Sequence, residues 1–185
     1  MGDLYEFNDV DGFTSGAIGR PGQRTFFLQV RADGSRINFK CEKQQVAALA
    51  QYLQRILADL PSPSDRPIPQ SLELIEPIEP VAFVVGHMGL AYDADVDRVV
   101  VMIEEFVPVD EDEDDVVELD EPDDEQVRLF DDDDDDAGRL RVALTRGQAL
   151  AFAERAEAIV AAGRPPCVWC ALPIDPDGHP CPRMN

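Results

Sequence analysis

The sequence predicts an α+β domain, mostly antiparallel, built from two strand-strand-helix halves and followed by a small Cys/His module. Three observations carry this reading. Short β-type runs come in hairpin-like pairs, two amphipathic helical stretches follow those pairs at a constant spacing, and Cys and His crowd the last nineteen residues. With 185 residues and 44% hydrophobic content, the chain has enough apolar material for one domain plus an appendage.

Residues 3–9 alternate as a short strand and residues 13–19 as a second. Gly19-Arg20-Pro21-Gly22 is a turn by composition. Thr25 to Arg31 is rich in β-formers, Asp33-Gly34 is a hairpin signal, and Arg36 to Cys41 returns with Ile37, Phe39 and Cys41 on one face. Val46, Leu49, Ala50, Leu53, Ile56, Leu57 and Leu60 then recur at helical spacing until Pro61. Residues 61–80 hold six of the fifteen prolines and form an extended connection.

Val81 to Tyr92 reads as a long strand, and Arg98 to Val107 as its partner. The second is apolar almost throughout, as a central strand covered on both faces would be. Residues 110–136 are an acidic insertion with 18 acidic residues and one basic, a charge of −17. The remaining residues carry 20 acidic and 15 basic side chains, so the net charge of −22 is concentrated in one place. Six consecutive aspartates, Asp131 to Asp136, belong in a solvated loop; the apolar island Gln126 to Phe130 reads as a strand cut off by them. The insertion lacks the spaced ligands and glycine of an EF-hand loop. Residues 138–144 are a strand, Thr145 is an N-cap, the last helix runs to about Ala162, and Gly163 is placed for its C-cap.

The two helix starts align at a constant offset of 103: Lys43 with Arg146, Gln45 with Gln148, Leu49 with Phe152 and Ala50 with Ala153. Two similar halves sharing one core explain this; a chance likeness between amphipathic helices is the competing explanation. The organisation expected is therefore an α+β domain over 1–163 and a metal-binding tail over 164–185.

In that tail, Cys167 and Cys170 are separated by two residues, and eight more lead to His179 and Cys181. Cys-x-x-Cys offers two sulfurs from one tight turn, whose N–H groups point at them. The turn Asp175-Pro176-Asp177-Gly178 folds the chain back, and His179 and Cys181, two apart, point to one side of an extended segment. The set Cys167, Cys170, His179 and Cys181 is that of a zinc-ribbon-like site. Four protein ligands close the coordination shell, so Zn2+ there is structural. An oxidised Cys167–Cys170 pair is the competing reading, but no βαβ pattern surrounds it.

Gly19 to Gln29, Glu42 to Val46, Met88 to Asp93, Ala161 to Cys167 and Cys181 to Arg183 resemble an actinobacterial domain-of-unknown-function family, number 3090. The resemblance covers nearly the whole chain. It implies a bacterial cytoplasmic protein with a cysteine-rich ending and carries no activity. The hexa-aspartate run is longer than the family pattern, so it is not taken as a general family feature.

Other side chains have plainer readings. Trp169, the single tryptophan, has two readings: an exposed partner-binding anchor or, the preferred one, a residue that packs the tail against the main domain. Gly16, Gly19 and Gly22 with Arg20 and Arg24 lack the Walker lysine and the strand-to-helix setting of a phosphate loop. His87 reads as a half-buried strand residue with no triad partners, and Cys41 as a small apolar residue. No catalytic or organic-cofactor residues stand out.

The function expected is a non-catalytic zinc-binding interaction or adaptor protein. One alternative is an enzyme or small-ligand binder with a pocket near Arg20, Arg24 and His87. Another is a regulator acting on a nucleic-acid enzyme. Direct nucleic-acid binding is disfavoured by charge. No apolar run is long enough for a membrane, and no signal peptide is evident, so the expected setting is the cytoplasm. A protein partner is expected.

Overall fold

The computed structural model describes residues 2–67, 72–108, 137–163, 167–172, 174 and 178–183. The acidic insertion 110–136, its apolar island, the spacer 164–166 and the turn residues 175–177 lie outside these. The described order is β1 (Leu4–Phe7), β2 (Gly12–Ile18), β3 (Thr25–Ala32), β4 (Ser35–Cys41), α1 (Lys43–Ala58), β5 (Val85–Asp93), β6 (Arg98–Glu105), β7 (Arg139–Leu144) and α2 (Arg146–Ala161). The fold is α+β and rich in antiparallel pairing. One sheet runs β1-β7-β6-β5 and the other β2-β3-β4, with β1–β7 as the parallel pair.

Local chemistry explains the elements. Asp33 and Gly34 both take positive φ (51° and 74°), closing a two-residue hairpin between Ala32 and Ser35. In β6, Val99, Val101 and Ile103 face the main core, while Val100 and Met102 are buried with Ala143 on the other face. The apolar run of β6 thus marks a central strand, paired to β5 and β7. Both helices start with capping boxes. The Glu42 N–H donates to Gln45 Oε1 (2.8 Å), and Thr145 N–H to Gln148 Oε1 (2.9 Å).

The repeated glutamines do more than cap. Gln45 Nε2 donates to the carbonyls of Val85 and Gly86 (2.9 Å each), at the start of β5. Gln148 Nε2 donates to Val10 O (2.8 Å), just before β2. Each half's helix is tied to the other half's leading strand. Strand pairing is exchanged in the same way. β1 of the first half lies parallel to β7 of the second. Residues 82–84, which lead into β5, lie parallel to β4: Ala82 N donates to Asn38 O (2.7 Å) and Lys40 N to Phe83 O (3.1 Å). The expected strand-strand-helix half is therefore three antiparallel strands and a helix, with a leading segment lent to its twin. The 103-residue spacing holds to the residue, since α1 covers 43–58 and α2 covers 146–161.

The proline-rich connection is strapped to the face of β2-β3-β4 turned away from the helices. Thr14 Oγ1 donates to Leu72 O. Gln29 Nε2 donates to Ile75 O (3.0 Å), and Ile75 N returns a bond to Gln29 Oε1 (3.0 Å). Asn38 Nδ2 donates to Ile78 O (2.7 Å), while its Oδ1 accepts from Gln29 (2.8 Å). Leu74 fills the space beside Gly16, where a Cβ would collide with it. Thr14, Gln29 and Asn38 are all buried, so their polar atoms depend on these bonds. Asn38→Ala is expected to cost about 1–3 kcal/mol, the range for stranding buried partners. A urea titration would show this as a lower midpoint at unchanged slope; an unchanged midpoint would refute the strap's contribution.

The β5–β6 turn is latched to α2. Arg146 Nε lies 2.9 Å from Asp97 Oδ1 and its Nη2 donates to Oδ2 (3.0 Å), while the Tyr92 hydroxyl also donates to Oδ1 (2.8 Å). The Tyr92 hydroxyl and then Arg146 hold the Asp97 carboxyl below its ordinary value.

Candidate metal centre

The tail begins with a tight turn. Ala171 N–H donates to Cys167 O (2.8 Å) and Cys167 N–H to Leu172 O (2.7 Å). Ala171 takes φ 60°, the left-handed conformation needed to reverse the chain there. The turn places the N–H groups of Trp169 and Cys170 against the Cys167 sulfur, and these hold its thiol below the ordinary value. Burial, with the neighbouring thiols, pushes Cys170 upward. Gly178, which precedes His179 and Cys181, takes φ 92°, a conformation open to glycine.

All four expected ligands come together. One ligand atom from each of Cys167, Cys170, His179 and Cys181 lies within 4.8 Å of the others. Cys167 Sγ is 3.8 Å from Cys181 Sγ, and Cys170 Sγ is 3.3 Å from His179 Nε2. A tetrahedral ion with metal–sulfur bonds of about 2.3 Å separates its sulfurs by about 3.8 Å along an edge. The spacing is nearly twice a disulfide bond of about 2.05 Å, and the three cysteines are free thiols. Three Cys and one His here are able to hold a metal ion.

A family model described as protein of unknown function (DUF3090) matches residues 5–181. The chain belongs to this family. No curated protein and no solved structure matches it. The DUF3090 match spans both halves of the fold and ends on Cys181, so it takes in all four residues of the cluster.

Several side chains stand differently from expectation. Trp169 is 61% exposed, with Val168 at 88% and Leu172 at 50%. The indole does not pack the tail onto the main domain; its backbone is held instead, by Arg183 Nη1 donating to Trp169 O (3.0 Å). Nothing in the spacing of the tail signals that contact. His87 is exposed rather than half-buried, because the β5–β6 register slips between Val85 and Met88 and turns it outward. Cys41 is buried in β4, and burial pushes its thiol to about 12, as expected of an inert packing residue.

Among the described residues, the cleft that holds Arg24 does not join it to Arg20 or His87. A cleft of about 250 Å³ is lined by Gly22, Arg24, Phe26, Glu42, Lys43 and Gly163, without Arg20 or His87. Arg24 Nη1 donates to Ile159 O (3.4 Å), and Lys43 Nζ sits where a Cβ on Gly163 would come within 3.3 Å of it. α2 has no basic residue in its own last turn. These two cations therefore serve the carbonyl end of that helix. Gly163 falls one residue past the cap, which is Ala162. Gly19 and Gly22 take positive φ (111° and 95°), as turn glycines do.

Proposed function

We propose that this chain is a non-catalytic, zinc-binding interaction protein of the cytoplasm, an adaptor whose tail is ordered by the metal and engages a protein partner. The observation that carries it is the set of four protein ligand atoms within 4.8 Å. Four such ligands fill a tetrahedral shell and leave no position for substrate or activated water. Thiolates with one imidazole favour zinc over the oxygen-loving Mg2+ and Ca2+. A reducing compartment keeps the thiols available for the ion. A tail of 22 residues, 164–185, buries too little to fold alone, and bound metal supplies that folding energy. No described helix is long and apolar enough to cross a membrane. The net charge of −22 opposes direct contact with nucleic acid.

The test begins with protein purified without chelator. Elemental analysis is expected to find about one zinc per chain, as a single four-ligand site requires. On chelation, amide exchange should accelerate across 167–183 and stay unchanged in α1, α2 and the strands. A zinc-free protein, or a tail equally protected after chelation, would overturn the metal-ordered module. Crosslinked capture from the native cell, with and without chelator, addresses the adaptor role. A partner retained equally in both would place the interaction elsewhere.

A further inference from the structure

The three thiols of the cluster are free and differ in access. Cys167 is buried at 6% exposure, while Cys170 and Cys181 are partly open to solvent. The Cys167 and Cys181 sulfurs lie 3.8 Å apart. Side-chain rotation that closes about 1.8 Å of this brings them to a disulfide bond of about 2.05 Å. Cys170 is engaged differently. Its sulfur faces His179 Nε2 at 3.3 Å, and its backbone is part of the turn closed by the Ala171 N–H on Cys167 O. A thiol open to solvent beside a shielded second thiol is the arrangement of a redox sensor, one sulfur to be oxidised and one to resolve it. Thiols that hold a metal are thiolates, the nucleophilic form.

We infer that the cluster is a peroxide-sensitive switch in which Cys181 is the residue oxidised and Cys167 the residue that resolves it. This rests on the reading of the tail as metal-ordered and adds the regulation of that site. The oxidant is hydrogen peroxide. The Cys181 thiolate attacks one peroxide oxygen, the O–O bond breaks, and hydroxide leaves; Cys181 is then a sulfenic acid. The Cys167 thiolate attacks the Cys181 sulfur, the S–S bond forms, the S–O bond breaks, and a second hydroxide leaves. The two sulfurs give up two electrons, and one peroxide with two protons from solvent becomes two waters. Cys170 and His179 then remain as donors, too few for a structural site. Cys41 stands outside the cluster, buried in β4 at 4% exposure, and should not react.

The test treats zinc-loaded full-length protein with hydrogen peroxide, follows released zinc with a chromogenic chelator, and maps disulfides by peptide mass spectrometry. About one zinc should be released per Cys167–Cys181 disulfide. Cys41 should stay reduced, and a dithiol reductant with added zinc should restore the starting protein. Cys181→His keeps a fourth ligand but removes the thiol, so it should release zinc at least about tenfold more slowly. If that variant binds no zinc, the disulfide map of the wild type decides alone. A Cys167–Cys170 disulfide, zinc retained under peroxide, oxidation of Cys41 at the same rate, or equal release from a zinc-loaded Cys181→His would overturn this inference and leave the metal reading intact. Wild-type protein purified without zinc would overturn both.

Discussion

Cys170→Ser is expected to take the bound metal from about one ion per chain to a small fraction of that, with the α+β body unfolding at its wild-type midpoint. Cys170 is one of two residues the first turn contributes, and its sulfur lies 3.3 Å from His179 Nε2. A serine hydroxyl stays protonated at neutral pH and is a poor zinc ligand, so three donors remain in a site built for four. Structural zinc binding is worth about 10–16 kcal/mol in small peptides. Spread over four ligands, each loss weakens affinity on the order of a hundred- to a thousandfold. Amide exchange should then rise through 167–183. Cys41→Ser is the control, because Cys41 is buried in β4 outside the cluster; it should leave the metal in place. Full zinc occupancy in Cys170→Ser would remove that residue from the ligand set.

What the sequence made readable was mostly local. Period-two and helical spacings located the strands and helices, Asp33-Gly34 located its hairpin, and the Cys and His spacing located the cluster. Each depends on residues close in the chain, where composition and geometry are directly coupled. The exchanged pairing was not readable, because the partners are far apart in the chain: Leu4 with Arg139 in β1–β7, and Lys40 with Val84 for the segment beside β4. The strap was hidden for a different reason. Thr14, Gln29 and Asn38 alternate with apolar residues as a solvent-facing row would, and only their burial beneath 72–78 shows that they bind backbone. The offset of 103 exposed Gln45 and Gln148 as equivalents but not their partners, since each bonds to the opposite half. Side-chain exposure was the least readable feature of the site. Trp169 and His87 are both exposed where packing was expected; for His87 the register slip in β5, which composition does not encode, turns the side chain out.

Phe152→Ala is expected to destabilise the body by about 3–5 kcal/mol, towards the upper end of that range. The ring is fully buried and stacks on Phe13, with centroids 4.7 Å apart and planes at 21°. It joins α2 of one half to β2 of the other, at the position that Leu49 holds in α1. The cost depends on how far the surroundings collapse into the space left behind. Here they are poorly able to do so. The neighbouring inward positions of α2 are Ala149, Ala153 and Ala156, all fully buried and with no flexible side chain to move. Phe13 is held by a strand registered along its length to β3. At this chain length the loss corresponds to a melting temperature lower by roughly 6–20 °C. Zinc content should stay at the wild-type level. Together with Cys170→Ser, this separates the proposed body, 1–163, from the proposed tail, 164–185: one substitution weakens the body and spares the metal, the other does the reverse. If Phe152→Ala also released the metal under native conditions, body and tail would be one cooperative unit, and the tail's order would depend on α2 as much as on its ligands.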